Sequence, residues 1–218
     1  MINIMELIPI QQQQIFLFRP RYKAVKRVMD VVLSLLMLPL ISPIMLVCAA
    51  LIWIDNPGPI FFKQLRTGKG GRRFRMYKFR TMVKNAEELK AKYAYLNELT
   101  PPDFKITNDP RITRVGKFLR KTSLDELPQI INVLKGQMSL VGPRPTSFAS
   151  STYSMWHTER LEVLPGITGY WQVNGRSELD FDMRLRLDIE YIKRQSLGLD
   201  IQILLKTVTC IFTQRGAH

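Results

Sequence analysis

Two adjacent acids and an arginine held between prolines are the residues of this sequence best suited to chemistry. Asp125 and Glu126 lie in the stretch SLDELPQIINVLKG, and Arg144 follows in the segment GPRP. A carboxylate can act as a nucleophile or hold a metal ion, whereas a guanidinium on a stiff backbone suits two-pronged contacts with phosphate oxygens. This combination of residue types points to chemistry on a phosphorylated substrate.

The element that must position the two acids is predicted to be a helix. Ser123 followed three residues later by Glu126 matches a capping box, and Gly136 suits a helix end. Neighbouring residues of a helix point about 100° apart, so Asp125 and Glu126 cannot share one role. Acids in a first helical turn also complement the helix dipole in many proteins. The local pattern alone therefore leaves a catalytic and a structural role open.

The composition limits the kinds of chemistry and partner. The chain has 218 residues, with 32 Lys and Arg against 18 Asp and Glu, which gives a net charge of +14 and a pI of about 10.0. Such a surplus predicts an anionic partner, which a nucleic acid, a phosphorylated substrate or lipid headgroups would satisfy. Two cysteines without a spacing pattern argue against a disulfide framework or a zinc site, and two histidines argue against a Ser-His-Asp triad. Carboxylates and basic residues must therefore carry the chemistry.

An uncharged apolar run over residues 31–54 is long enough to cross a bilayer. Pro39 and the pair Ser42-Pro43 interrupt it midway, where a proline bends or breaks a helix. The cations that flank the run are Arg19, Arg21, Lys23, Lys26 and Arg27 before it and Lys63, Arg66, Lys69, Arg72, Arg73 and Arg75 after it. Because the positive-inside rule places both flanks in the cytoplasm, we predict a re-entrant helix that breaks near Ser42. A single spanning helix is the alternative.

These features predict three regions and a mixed fold. We expect a mobile amino-terminal segment over residues 1–20, a re-entrant membrane helix-break-helix over 21–56, and a cytoplasmic catalytic domain over 57–218. The predicted class is α+β: a mostly helical monotopic membrane protein with a small β-hairpin and amphipathic interfacial helices.

The hairpin signal follows the membrane run directly. Two stretches rich in aromatic and alternating residues flank a turn at residues 68–71, whose sequence is Gly-Lys-Gly-Gly. On the second strand Phe74, Met76, Lys78 and Arg80 are predicted to share one face, because side chains alternate along a strand. Lys78 and Arg80 would then emerge side by side.

Three further helices are predicted in the rest of the chain. Residues 84–99 have the composition of a polar surface helix, and residues 112–120 follow the turn Asp109-Pro110-Arg111 and carry a basic stripe. That stripe is either a solvated face or a grip for phosphates. Residues 179–214 read as a helix in two parts around residues 196–198. Its second part is apolar enough to lie on the bilayer, although core packing explains it equally well.

Five segments together resemble one known family. They are KFRTM (78–82), DPRIT (109–113), SLDELPQIINVLKGQMSLVGPRP (123–145), LPGITGYWQVNGRS (164–177) and DIEYIKRQSLGLDIQILLKT (188–207). In this order they resemble the bacterial sugar transferases, the monotopic polyprenyl phosphate phosphoglycosyl transferases. The resemblance covers nearly everything after residue 20. The segment 171–177 is similar to its counterpart in transferases that prime exopolysaccharide with hexoses such as glucose or galactose.

The resemblance implies a reaction with two substrates. Asp125 would attack a UDP-sugar, displace UMP and form a phosphosugar-aspartyl intermediate, which polyprenyl (undecaprenyl) phosphate then attacks. It also implies Mg²⁺ at the pair of Asp125 and Glu126, with Glu126 as its main ligand, because a carboxylate can attack a diphosphate only if the negative charge is neutralised. The implied location is the cytoplasmic face of the bacterial inner membrane, in contact with its lipids, and a homodimer is compatible with the family.

The motif match also implies roles for further residues. Lys78, Arg80 and Arg111 are implied contacts to phosphate or nucleotide, each with a structural ion pair as the alternative. Arg144 is an implied phosphate contact. Asp188 is a weaker match, because its place in a long helix also suits a salt bridge.

Two non-enzymatic functions are alternatives. The pI and the basic strand over residues 72–80 are compatible with a membrane-tethered nucleic-acid-binding protein, but no recognisable binding motif accompanies them, so we expect no nucleic acid partner. An inactive scaffold of polysaccharide assembly would tolerate loss of Asp125. The intact acidic pair argues against that alternative.

Overall fold

The protein is described by a computed structural model over residues 20–98, 106–147, 155–174 and 181–213. The helices are α1 (Pro20–Asp55), α2 (Glu88–Lys92), α3 (Arg114–Lys121), α4 (Ile130–Leu134), α5 (Tyr170–Asn174), α6 (Phe181–Arg194) and α7 (Leu197–Thr213). The strands are β1 (Phe61–Thr67), β2 (Arg73–Phe79), β3 (Ser139–Val141) and β4 (Gly166–Thr168), and 3₁₀ turns cover Lys69–Gly71, Ala94–Leu96, Leu124–Gln129 and Met155–Glu162. A mostly helical α+β class with small sheets is thus confirmed. The predicted mobile segment lies, apart from Pro20, outside the described residues.

The predicted interruption of the membrane segment is not present in the backbone. Helix α1 continues through Pro39 and Pro43, and Ser42 Oγ donates to Pro39 O at 3.4 Å. A proline removes its own N–H from the helical pattern, but the neighbouring bonds persist, and a helix is favoured in apolar surroundings because it satisfies its own backbone groups. A proline can also bend a helix without ending it, so the re-entrant path itself stays a prediction.

Most apolar side chains of α1 face away from the rest of the fold. Leu40 and Leu46 are 73% and 72% exposed, whereas Ile41, Cys48 and Ile52 are buried. Within the described ranges, α1 is the one helix long and apolar enough to cross a membrane by length and composition. So large an exposed apolar surface is typical of a segment that contacts lipid.

The two ends of α1 are bound to α4 and α3, the helices on either side of the turn that carries Asp125 and Glu126. Near its amino end, Arg27 donates to the carbonyls of Val133 at 2.6 Å and Leu134 at 3.0 Å. At its carboxyl end, the carboxylate of Asp55 accepts from the backbone N–H of Val115 at 3.1 Å. Arg27 thereby satisfies two of the carbonyls that remain free at the end of α4.

The first sheet is the predicted hairpin. β1 and β2 pair antiparallel, with Phe61 opposite Phe79 and Lys63 opposite Tyr77. Gly70 in the connecting turn has a φ of 63°, a left-handed conformation that glycine adopts without strain. Because the strands alternate, one face of β2 turns into the core and the other outward.

The second sheet joins two of the sequence motifs. β3 and β4 pair in parallel, with Ser139 opposite Gly166 and Val141 opposite Thr168, so the GPRP loop lies against the PGITG segment. A side chain at Gly166 would come within 2.1 Å of the backbone nitrogen of Gly142. Only glycine permits this approach of the two backbones.

Three helix predictions need correction and one is confirmed. Residues 84–99 give only the short α2 and a 3₁₀ turn, and the helix after Asp109 begins two residues late, at Arg114, with Thr113 as its N-cap. The acids lie in a 3₁₀ turn rather than an α-helix. The predicted two-part helix corresponds to α6 and α7.

The capping box is the clearest error. Ser123 has a φ of 57° and its side chain caps nothing, while the carboxylate of Glu126 is bound by cations from other elements. Those tertiary ion pairs outweigh a local cap. Gly136, with a φ of 73°, follows the end of α4 as predicted.

Candidate active site

Three elements bring four charged side chains together. The 3₁₀ turn Leu124–Gln129 supplies Asp125 and Glu126, β2 supplies Lys78, and the loop after β3 supplies Arg144. Lys78 Nζ lies 2.7 Å from Glu126 Oε1 and 3.7 Å from Asp125 Oδ2. These four residues, predicted from motifs up to 66 positions apart, form one cluster.

The two acids of the cluster differ in their partners. Glu126 accepts from Lys78 and from both terminal nitrogens of Arg144, at 2.5 Å for Nη2 and 3.3 Å for Nη1. Asp125 is buried, and among the described residues its one close cation is Lys78 at 3.7 Å. Glu126 is therefore held on both oxygens, whereas the carboxylate of Asp125 remains available.

The surroundings of the two acids shift their pKa values in opposite directions. Burial raises the pKa of Asp125, although the charge of Lys78 opposes that effect. Burial also disfavours ionised Glu126, but the charges of Arg144 and Lys78 prevail and hold its pKa well below the usual range. A carboxylate of raised proton affinity is the more basic of the pair and so the better nucleophile. Glu126 stays ionised and anchors the cations.

A second ion pair supports the arginine of the GPRP loop. Arg160 donates at 2.6 Å both to the backbone carbonyl of Arg144 and to Asp188 Oδ2. Asp188 is buried, and burial raises its pKa to about 7 against the opposing charge of Arg160. The structure thus gives Asp188 the predicted alternative, a salt bridge. A substrate contact by Asp188 stays a prediction.

Arg80 and Arg111 are both buried. Arg80 donates to the backbone carbonyl of Asn56, while its Nη1 is buried without a hydrogen-bond partner in the described part of the chain. Arg111 forms a paired contact with Asp109, at 2.9 Å for Nε and 2.7 Å for Nη2. Arg111 therefore forms the structural ion pair given as its alternative, and nucleotide contacts by either arginine stay predictions.

Arg120 was not singled out from the sequence, although it belongs to the basic stripe. It is exposed, its Nε donates to Thr81 Oγ1 at 2.9 Å, and its positive charge lowers the pKa of Asp125. Burial lowers the pKa of the Arg120 guanidinium, so its charged head lies close to the acid although part of the residue is exposed. The stripe was the only signal in the sequence.

Asn132 is the second residue that the sequence did not indicate. Its Oδ1 accepts from the N–H of Tyr77 at 2.9 Å, and its Nδ2 donates to Arg75 O and Gln137 Oε1 at 2.8 Å each. The buried amide thus pairs with β2 on either side of Met76 and joins α4 to the strand that carries Lys78. Nothing in the local sequence predicts these partners.

Asp125 and Glu126 are suited to a magnesium ion that also binds substrate and water, rather than to a metal site formed by protein side chains alone. The described residues contain no group of three or more His, Cys, Asp or Glu side chains that could hold a metal. Mg²⁺ commonly uses one or two carboxylates together with substrate phosphates and water. Asp125 and Glu126 supply such a partial set.

Comparison with known proteins identifies the family. Residues 21–214 match the family model described as Bacterial sugar transferase. The chain belongs to the bacterial sugar transferase family. The resemblance inferred from the five motifs is therefore confirmed.

Several curated relatives are similar over most of this chain. Galactosyl transferase CpsE of Streptococcus agalactiae is 48% identical over 162 residues, which are 73% of this chain and 36% of the relative. Undecaprenyl-phosphate galactose phosphotransferase of Salmonella typhimurium is 43% identical, over 88% of this chain and 41% of the relative. Exopolysaccharide production protein ExoY of Rhizobium meliloti is 36% identical, over 92% of this chain and 91% of the relative. This sugar transferase chain spans less than half of the first two relatives and nearly all of the third.

Proposed function

We propose that this chain transfers a sugar 1-phosphate from a UDP-sugar to polyprenyl phosphate, with release of UMP. One observation carries the proposal: a buried, weakly partnered Asp125 lies beside Glu126, whose two oxygens hold Lys78 and Arg144. Relatives named as an undecaprenyl-phosphate galactose phosphotransferase and a UDP-glucose:undecaprenyl-phosphate glucose-1-phosphate transferase support this reaction class.

Substrate binding would draw on cations already gathered at the site. The side chain of Arg144 is 36% exposed, whereas that of Glu126 is 17% exposed, so the arginine borders the open side of the cluster. A diphosphate would compete with Glu126 for the guanidinium of Arg144, because phosphate oxygens accept the same two-pronged contact. Arg120 would add a further positive charge from α3.

The chemistry would proceed by two displacements at phosphorus. A carboxylate oxygen of Asp125 forms a bond to the sugar-proximal phosphorus, the bond from that phosphorus to the bridging oxygen breaks, and UMP leaves with the electron pair. An oxygen of polyprenyl phosphate then attacks the same phosphorus and frees the carboxylate. Lys78, next to both acids, offsets negative charge as it develops.

Mg²⁺ fits this account as a partner of the acidic pair. Bound there, the ion would neutralise the diphosphate and the departing UMP. Glu126 and Asp125 would hold it together with phosphate oxygens. Glu126 is suited to this role because it remains ionised, and Arg144 and Lys78 would turn toward the substrate when Glu126 exchanges partners.

The contacts of α1 support a path with both ends on the cytoplasmic face. Arg27 and Asp55 are 28 positions apart, about 42 Å along a straight helix, whereas a bilayer core is about 30 Å thick. Both nevertheless bind the helices that flank the acids in the chain, Arg27 at the end of α4 and Asp55 at the start of α3. If α1 spanned the bilayer, the charged region between these helices would have to cross it too.

The topology can be tested with single cysteines. With Cys48 and Cys210 replaced, Gln12→Cys and Lys92→Cys should both escape a membrane-impermeant thiol reagent in intact cells and react after lysis. Labelling at position 12 from outside, with position 92 protected, would show a spanning helix.

The activity can be tested by nucleotide release. Purified full-length chain, polyprenyl phosphate and Mg²⁺ should release UMP from at least one member of a UDP-sugar panel. Asp125→Asn should abolish release, and Asp182→Asn, at an exposed acid outside the cluster, should not. Absence of UMP release across a panel of hexose and N-acetylhexosamine donors would contradict the proposal.

A further inference from the structure

The outward face of the hairpin combines apolar and basic side chains. Register places Phe61, Lys63 and Leu65 of β1 on the same face as Arg75 and Tyr77 of β2. Lys135, which follows α4, reaches this face and donates to Tyr77 Oη at 3.0 Å. We call these six residues the outer hairpin face.

The apolar members of the outer hairpin face are not covered by the described protein. Phe61 is 44% exposed and Leu65 is 50% exposed. Lys63, Arg75 and Lys135 are exposed beside them, and the ammonium groups of Lys63 and Lys135 lie 5.8 Å and 4.8 Å from the centre of the Tyr77 ring. Apolar side chains, an aromatic hydroxyl and cations on one surface are typical of contact with lipid headgroups.

The outer hairpin face is linked to both ends of the membrane helix. Phe61 stacks on Phe79 at 5.5 Å, and Phe79 packs in one cluster with Cys48 and Ile52, near the carboxyl end of α1. At the other edge, Lys135 directly follows Leu134, whose carbonyl accepts from Arg27 near the amino end. The face therefore lies close to the level at which α1 would enter and leave the bilayer.

We propose that the outer hairpin face rests on an anionic bilayer surface. Phe61 and Leu65 contact the acyl boundary, and Lys63, Arg75 and Lys135 bind lipid phosphates. This proposal rests on the proposed re-entrant path of α1. A second copy of the chain is a poorer occupant, because a two-fold contact through this face would bring the three cations of one copy close to the three cations of the other.

The proposed contact has a consequence for the active site. Tyr77 and Lys78 are consecutive in β2, so Tyr77 faces the headgroups while Lys78 faces the two acids. One strand would thus fix the height of the acidic cluster relative to the lipid phosphates. An acceptor phosphate at the same level would need little displacement to reach Asp125.

The proposal is tested by lipid quenching of a fluorophore. Full-length chain with Cys48→Ala, Cys210→Ser and Leu65→Cys is labelled and placed in nanodiscs whose lipids carry a quencher near the headgroup. Tyr95→Cys, at a position 79% exposed, is the matched control. We expect quenching at position 65 to exceed that at position 95 by about threefold or more, because an interfacial residue lies within the headgroup layer. Equal quenching at the two positions would overturn the proposal.

A second set of measurements tests the role of charge and whether two copies associate through the outer hairpin face. Lys63→Glu together with Lys135→Glu should reduce quenching at position 65 in discs with anionic lipid, and should have little effect in zwitterionic discs. Energy transfer between labels at position 65 on two copies, without lipid quenching, would assign the face to a second copy and refute the proposal. UMP release by the same samples reports separately on folding and on the proposed reaction, because quenching is measured without substrate.

Discussion

Asp200 and Asp125 are both buried acids, but the fold treats them in opposite ways. Asp200 accepts from Tyr22 and Lys26 at 2.9 Å on one oxygen and from Tyr191 at 2.7 Å on the other. Asp125 has Lys78 at 3.7 Å as its one close cation among the described residues. A fully partnered buried acid fastens α1 to α6 and α7, whereas an under-partnered one retains the capacity to react.

The largest effect on turnover is expected from a change of Asp125 itself. Asp125→Asn should lower turnover by about three orders of magnitude or more, because an amide is a far weaker nucleophile than a carboxylate. The thermal midpoint in detergent should hardly move, since few contacts are lost. UMP release and a melting curve measure the two effects, and turnover within tenfold of the parent would rule Asp125 out as the nucleophile.

Asp200→Ala should show the opposite pattern. Removing the acid leaves Lys26, whose side chain is only 12% exposed, without its partner and should destabilise the fold by about 3 kcal/mol. Residual UMP release at low temperature should stay near the parent value. Asp182→Ala, at an exposed acid, is the control for stability, and an unchanged melting midpoint for Asp200→Ala would contradict the fastening role.

Substitutions of Arg144 test whether the cluster at Asp125 requires a planar guanidinium or only a positive charge. Arg144→Lys should reduce kcat/KM by about a hundredfold, nearly as much as Arg144→Ala, because an ammonium group cannot reproduce a planar two-pronged contact. Steady-state kinetics with the preferred UDP-sugar measure the loss. Near-normal activity of the Lys variant would show that Arg144 supplies charge alone.

Asn132 should act on Asp125 through Lys78. Asn132→Leu releases β2 from α4, and withdrawal of Lys78 should raise the pKa of Asp125 further, because the lysine charge lowers it in the parent. The acidic limb of the pH profile of kcat/KM should therefore move to higher pH. Gln137→Ala removes one partner of Asn132 but neither contact to β2, so its limb should not move. If the acidic limb of the pH profile does not move in Asn132→Leu, then Asn132 stabilises the fold but does not act on Asp125.

A prediction for stability alone concerns Asp188, which supports the GPRP loop through Arg160. Burial raises the pKa of Asp188 to about 7 in the fold, so between its ordinary value and 7 the folded state binds more protons than the unfolded state. Its contribution to stability therefore falls as pH rises through that window. Relative to Asp188→Asn, the parent should lose stability between about pH 4 and pH 7. A constant difference in melting midpoint across that range would contradict this assignment.

The charged cluster at Asp125 and the elements that support it differ in how far the sequence predicts them. The family motifs indicated Lys78, Glu126 and Arg144 as site residues, and the structure places Lys78 and Arg144 around Glu126, while their roles stay predictions. The glycines of the hairpin turn and Gly136 after α4 gave local signals that the structure confirms. By contrast, the capping box failed because distant cations bind Glu126. The partners of Asn132 lie 55 and 57 positions away on β2, so no local pattern reports them. Proline content likewise predicted a break that α1 does not contain.

The central claim is most directly tested by the mass of the chain after reaction with donor alone. Incubated with its UDP-sugar and Mg²⁺ but without polyprenyl phosphate, the full-length protein should gain the mass of one sugar phosphate. Peptide mapping should place the adduct on Asp125, and subsequent polyprenyl phosphate should remove it. An adduct on another side chain, or rapid turnover without any adduct on trapping, would contradict Asp125 as the nucleophile.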